Sequence, residues 1–321
     1  MLKLDLKDRK LLYELDTNSR QSASELARKI GLSKDAIIYR MKKLENAGII
    51  KQYHTIIDVG KLGFISFRLY LKLQNTTPEK EAEIIEYFKK KNEITWLVSI
   101  DGKYDLGMWI LTKSIKEMNA FWKELLQNYI NFIAERALTI FTKVSYFPRS
   151  YLLDQQSNQD QYIFITEPEE IKIDEKDLQI LKLLAPAARR SILEIAQKVK
   201  ITAKTAAARI KGLEKKKIII GYRTRFDLEK LGYQYFKVHF NLQNLTTSKE
   251  KQFRQYIKQH PHIIYDNEVL GGDDLEIEIQ VKTLPELRSI LEEIQKNFAE
   301  IIREHYYFLF YKEHKLVFFP S

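Results

Sequence analysis

Apolar residues at helical spacing open the chain. Leu6, Leu11, Leu12 and Leu15 share one stripe behind Asp5, a residue suited to cap a helix. A second short helix is predicted from Ser22, where Ser22-Ala23-Ser24-Glu25 has the form of a capping box, to about Gly31, which suits a left-handed turn. Ser33 then caps a third helix whose core stripe is Ile37, Met41 and Leu44. The period changes to two from Ile49 to Ile57, a run that reads as the strands of a wing. Three short helices with a glycine turn between the last two are the pattern of a helix-turn-helix, although an ordinary three-helix bundle shares it.

The next hundred residues read as a small α+β unit. Phe64 to Leu73 alternates as a half-buried strand, and Pro78 to about Lys91 is an amphipathic helix. Strands follow at Ile94 to Ile100 and Leu106 to Thr112, joined by a turn at Asp101 to Asp105, then a helix from Ser114 to Gln127 and a strand from Ala137 to Tyr146. The order βαββαβ is the ferredoxin-like pattern. Helices cover one face of such a sheet, so apolar residues on the other face need a partner; Tyr70, Trp96, Trp109 and Tyr311 are candidates for that pairing.

Both units occur twice. Asp5 aligns with Asp174, a shift of 169 positions, and the register holds almost to the C-terminus. Arg20 meets Arg189, Glu25 meets Glu194, Arg40 meets Arg209, Lys61-Leu62-Gly63 meets Lys230-Leu231-Gly232, and Asp105-Leu106 meets Asp274-Leu275. In the second copy Thr202 starts the third helix and Ala206, Ile210 and Leu213 form its core stripe, followed by a wing run from Ile218 to Phe226. Its sheet strands are expected at 233–242, 263–270, 275–282 and 306–314, with helices at 248–259 and 285–296. The expected fold class is α+β, two repeats of a winged helix-turn-helix plus a ferredoxin-like domain. The domains are expected at 1–60, 61–150, 171–229 and 230–321, with a linker at 151–170 that contains the polar run DQQSNQDQ.

Opposite the core stripe, the third helix carries the residues that would meet DNA. At 100° per residue, Asp35, Ile38, Tyr39 and Lys42 point away from the core, with Lys34 at the entrance and Arg40 and Lys43 adding charge. The second copy offers Ala203, Lys204, Ala207, Ala208, Arg209 and Lys211. Lysines neutralise phosphates or contact guanine edges, while alanines permit close approach to thymine methyl groups. Residues 202–217 hold six basic side chains against one acidic, and residues 33–47 hold four against two, so the two heads are unequal. Lys51, His54, Arg223 and Arg225 in the wing runs are expected to touch phosphates.

Composition agrees with a polyanion partner, because the net charge is +10 and the pI near 9.3. With no cysteine there is no disulfide or thiolate metal site, as in a reducing cytoplasm. No apolar run is long enough for a membrane span, and no basic lead-in to an apolar run opens the chain. Neither a P-loop nor a dinucleotide fingerprint occurs, and His260-Pro261-His262 lacks a nearby third ligand. The reading therefore has no cofactor, no metal and no catalytic residue.

Taken together, Leu4-Asp5-Leu6-Lys7-Asp8, Gly31-Leu32-Ser33, Leu44-Glu45, Gly48-Ile49-Ile50 and Gly102-Lys103-Tyr104-Asp105 resemble the Lrp/AsnC family of prokaryotic transcription regulators. The resemblance covers essentially all of each repeat. It implies sequence-specific binding of double-stranded DNA and dimerisation through the sheet faces, so that a fused chain forms an intramolecular pseudo-dimer or assembles further as a homo-oligomer. It also implies an amino-acid effector near Gly102, Tyr104 and Asp105, and near Gly271 and Asp274 in the second copy. That copy departs from the motifs at Lys200, Lys217 and Asp273, which puts its turn and effector pocket in doubt. Two rival readings remain. One is an architectural protein coating DNA with little specificity. The other is a fused enzyme like the sirohaem decarboxylases, whose resemblance demands histidines around the second sheet strand, where Ile94 to Ser99 and Ile263 to Glu268 have none.

Overall fold

The computed structural model describes residues 3–155, 162–165, 171–317 and 319. Helix α1 (Leu6–Thr17) begins where the Asp5 carboxylate accepts the Asp8 N–H at 2.7 Å. Helix α2 (Ala23–Ile30) opens on the expected capping box: Ser22 Oγ accepts the Glu25 N–H, and Glu25 accepts the Ser22 N–H at 2.7 Å. Gly31 ends it at φ 71°, and Ser33 caps α3 (Lys34–Asn46). The second copy repeats these with α6 (Glu175–Leu184), α7 (Ile192–Val199) and α8 (Ala203–Lys215). Lys200 and Lys217 keep the left-handed backbone of Gly31 and Gly48, at φ 57° and 56°, so the turns survive at the cost of Cβ strain. One expected stripe residue, Leu6, is half exposed, because it lies in the first turn ahead of the packed part of α1.

The wing departs from expectation. Each run forms one strand, β1 (Ile50–Ile57) and β7 (Ile219–Phe226), and the two pair antiparallel with each other, Tyr53 opposite Thr224. The ribbon is therefore shared between repeats.

The first α+β unit comprises β2 (Ile65–Leu73), α4 (Pro78–Lys90), β3 (Ile94–Asp101), β4 (Leu106–Thr112), α5 (Ile115–Tyr129) and β5 (Ile133–Tyr146). The short β6 (Tyr162–Ile165) pairs with the end of β5, so part of the expected linker is strand. After a single-turn helix α9 (Leu228–Leu231), the second unit comprises β8 (Gln234–Leu242), α10 (Thr247–Gln259), β9 (Ile263–Leu270), β10 (Leu275–Val281), α11 (Leu284–Phe298) and β11 (Ile302–Leu316). Both terminal strands start earlier than the alternation indicates and are long, 14 residues in β5 and 15 in β11.

That length closes the architecture. The first half of β5 pairs with β2 and its second half with β9, while β11 pairs first with β8 and then with β3. The strands run β5, β2, β4, β3, β11, β8, β10, β9 and back to β5. An eight-stranded barrel results, which leaves these strands no free edge. Helices cover its outside. Phe67, Leu69 and Met108 pack there with Ile84, Phe88 and Leu125, and Phe236, Val238 and Ile277 with Phe253, Ile257 and Ile294. Phe88 is fully buried, so truncation to alanine should cost about 3–5 kcal/mol. The inward face carries Arg68, Tyr70, Lys237, His239, Glu276 and Glu278, all buried. Lys237 Nζ lies 2.8 Å from Glu276 and 3.2 Å from Glu278. Among the aromatic residues expected to pair, Tyr70 is buried and Trp96 and Trp109 partly so, but Tyr311 is exposed.

Candidate nucleic-acid interface

Recognition helices work only if their free faces are held in a defined relation, and the two heads grip each other directly. The Ser19 N–H donates to Tyr222 O at 2.9 Å, and the Ala188 N–H donates to Tyr53 O at 2.9 Å. Arg20 donates to Ala188 O, and Arg189 to Ser19 O and to Gln21 O at 2.8 Å. These contacts are related by the 169-residue shift, so the same patch is used from both sides, as in a two-fold dimer. The identity of Arg20 and Arg189 across the repeat was the available signal for this clasp. Each head also packs on the other repeat. The first head's core includes Phe226 and Ile264, and the second's includes Ile57, Val59 and Leu111.

With the cores turned inward, Lys34, Asp35, Tyr39 and Lys42 are exposed, Tyr39 at 69%, while Ile38 and Lys43 are partly exposed. On α8, Lys204, Ala208 and Lys211 are exposed and Ala203 and Ala207 partly so. The outer face of α8 is flat beside that of α3, since alanines stand where α3 has Ile38 and Tyr39. Arg40 and Arg209 are partly exposed and engaged in ion pairs. Arg40 is tied to Asp5 at 2.8 Å and to Asp8 at 2.5 Å, and Arg209 to Asp174 and Asp177 at 2.8 and 2.9 Å. These pairs hold the third helix to the start of the first through one nitrogen of each guanidinium, Nη1, and give both arginines a structural role.

Of the four wing residues, Arg223 and His54 depart from expectation, while Lys51 stays exposed and Arg225 partly so. Arg223 is buried and donates to both oxygens of Asp16 at 2.8 Å. Asp16 also accepts from Arg149, through its backbone N–H at 2.9 Å and its guanidinium. Burial opposes ionisation of Asp16, but the two guanidinium charges prevail and hold its carboxyl below the usual range. His54 is pushed down to about 3, chiefly by burial and then by Arg223, so it is neutral at pH 7. Lys51 pairs with Asp227 at 3.0 Å, and Arg225 with Glu313. The ribbon is covered by the barrel on this side, which alternation within one strand could not reveal.

The two effector-motif turns lie at the seams between repeats. A Cβ on Gly102 would stand 2.6 Å from Phe308 Cβ, so only glycine admits this approach of the second repeat. Tyr104 is buried and stacks on Tyr70 with ring centroids 5.2 Å apart. Asp105 accepts from the Leu73 N–H at 2.6 Å and from Lys72 at 2.8 Å, and Asp274 accepts from the Leu242 N–H at 2.7 Å. Gly271 is exposed, at φ 84°. Asp273, which replaces the tyrosine, pairs with His239 Nδ1 at 2.9 Å and accepts from Tyr306 at 2.5 Å. The histidine-free strand β3 also acquires a histidine in space, because His314 of β11 lies 2.7 Å from Ser99 Oγ.

Two clasped helix-turn-helix heads on one barrel define a DNA-binding protein of the helix-turn-helix class. Residues 4–51 match the winged helix-turn-helix DNA-binding family, and residues 173–214 match the AsnC-type helix-turn-helix domain. An uncharacterized HTH-type transcriptional regulator of Pyrococcus furiosus is 31% identical over 137 residues, which make up 42% of this chain and 88% of that protein. The HTH-type transcriptional regulator Ptr1 of Methanocaldococcus jannaschii is 32% identical over 131 residues, 40% of this chain and 85% of that protein. The chain belongs to this family of AsnC-type helix-turn-helix transcription regulators, the Lrp/AsnC family, and is a DNA-binding transcription regulator. Each of these two relatives matches over about the length of one repeat. Over 98% of its length the chain also has the fold of the siroheme decarboxylase NirDL, which it matches over 94% of that chain with a TM-score of 0.65 at 12% identity.

Proposed function

We propose that the chain binds double-stranded DNA as an intramolecular pseudo-dimer whose two heads read unequal half-sites. In this reading α3 presents Lys34, Asp35, Ile38, Tyr39, Lys42 and Lys43, and α8 presents Ala203, Lys204, Ala207, Ala208 and Lys211. The observation that carries it is the reciprocal clasp through Arg20 and Arg189, which fixes one head against the other. Fixed spacing turns two weak half-site contacts into one specific site. Selection from a random DNA pool, followed by footprinting, should recover a bipartite site with dissimilar halves. Recovery of no motif, with a steep salt dependence and equal affinity for all sequences, would instead establish a DNA-coating protein.

An amino-acid effector at the β3–β4 turn and its counterpart belongs to the proposal through the family resemblance. Asp105 and Asp274 are engaged by backbone N–H groups, so such a ligand would rely on the exposed backbone around Gly102 and Gly271. The reading includes no enzymatic activity. Incubation with sirohaem should return it unchanged, and decarboxylated product would refute that part.

A further inference from the structure

Between the shared ribbon and the barrel lies a cavity of about 620 Å³, reached by side chains of both repeats. Its walls hold polar groups that have no hydrogen-bond partner among the described residues. Arg68 is buried with Nε and Nη1 unbonded, Arg223 has a free Nη1, and the Gln280 amide nitrogen is likewise unpaired. Each such buried donor is costly unless an acceptor meets it.

Of the nearby carboxylates, Glu276, whose charge also acts on Arg68, pairs with Lys237 at 2.8 Å, and Glu278 and Asp16 are already taken. The oxygen of Glu278 nearest Arg68 is 3.7 Å away, beyond hydrogen-bond range, and is approached by Lys237 at 3.2 Å and Asn267 at 3.3 Å. The other oxygen of Glu278 accepts from Tyr235. Asp16 serves Arg149 and Arg223 together, one negative charge against two positive. The walls thus carry unspent positive charge and unspent N–H donors, set among rings. The Arg68 guanidinium lies 4.6 Å from the Trp96 ring and 5.1 Å from that of Phe141, and Arg223 lies 5.7 Å from Tyr146.

We propose that this chamber binds an anionic aromatic effector, a planar ring compound bearing a carboxylate, phosphate or sulfonate group. The anion takes the free N–H groups of Arg68 and Arg223, and the ring lies against the aromatic wall. A guanidinium with free N–H groups matches such oxyanions through charge-assisted hydrogen bonds. A chamber of this size exceeds what a single small amino acid fills, and falls within the ordinary range of ligand pockets of about 300–1,000 Å³. The β1–β7 ribbon forms one wall and joins the two heads, so an occupant contacts the element on which their relative setting depends. Calling the ligand an effector rests on the regulator reading; the binding site itself does not.

The test uses the full chain and two dyes. One is 1-anilinonaphthalene-8-sulfonate and the other is uncharged N-phenyl-1-naphthylamine, which has the same rings without the anion. Calorimetry should give one sulfonate per chain. Arg68→Met should weaken it at least tenfold while changing the neutral dye less than threefold, and Arg68→Lys should lose an intermediate amount. If the methionine variant does not fold, as a thermal melt would show, the lysine variant and the ratio between the two dyes on the wild-type chain decide the matter. Several sulfonates per chain, equal affinity for both dyes, or binding indifferent to Arg68 overturns the proposal. DNA affinity of the dye-free chain is measured in parallel. Its loss with dye binding intact would refute only the regulator reading, and its presence with no dye binding only the chamber.

Discussion

Removing the carboxylate of Asp16 should be among the most damaging single changes in the molecule. The side chain is fully buried and answers two guanidinium groups, Arg223 at 2.8 Å and Arg149 through the side chain and the backbone N–H. Asp16→Ala leaves both cations facing each other without a counter-charge. Breaking a buried pair from one side costs about 3–5 kcal/mol, which is a large share of a typical total stability of about 5–15 kcal/mol. Urea unfolding followed by circular dichroism measures it directly. The double variant Asp16→Ala with Arg223→Met should lose less than the sum of the single losses, because the second change removes a charge that the first left uncompensated. Acid titration supplies a second readout. The Asp16 pKa is lowered in the folded state, so its stabilisation is complete above the unfolded carboxylate value and disappears as pH falls through the folded one. Asp16→Asn should therefore flatten the acid limb of the stability curve. A loss below about 1 kcal/mol for Asp16→Ala, or additive losses in the double variant, would refute the assignment.

Other expectations follow from single sites. Lys200→Gly should stabilise the chain by about 1 kcal/mol in the same urea assay, since φ 57° costs a lysine what it does not cost a glycine. Burial pushes the Asp58 carboxyl up to about 6; because the ionised form is the one penalised, Asp58→Asn should stabilise by about 2 kcal/mol at pH 8 and make little difference at pH 4. Charge reversal at Lys204 and Lys211 should weaken DNA binding more than reversal at Lys34 and Lys42, and should lower the slope of affinity against salt by about two. Equal losses in a fluorescence-anisotropy titration would count against the inequality of the heads.

Local chemistry was enough to place the helices, their caps and most sheet strands. Asp5, Ser22, Ser33 and Thr202 bond the N–H groups three residues ahead, and such contacts need only neighbouring chain. The repeat was equally legible, and so was the free face of each third helix, because helical period alone divides core from surface. What lies opposite a face is a different matter. Alternation marks Arg68, Lys237, Glu276 and Glu278 as the polar side of their strands, and polar side ordinarily means solvent. Closure of the barrel by β5 and β11 turned that side inward, burying the charges and opening the chamber beside them. The same distinction explains the wing. The runs at 49–57 and 218–226 read as strands, but pairing depends on which backbone arrives alongside, and here each strand found the other repeat. By itself the sequence determined that this chain is two helix-turn-helix units, each followed by an α+β unit. That the two pair was implied by the family resemblance; only the tertiary structure decided how, through a closed barrel and a shared ribbon, because the hydrogen bonds and ion pairs that join them link residues far apart along the chain.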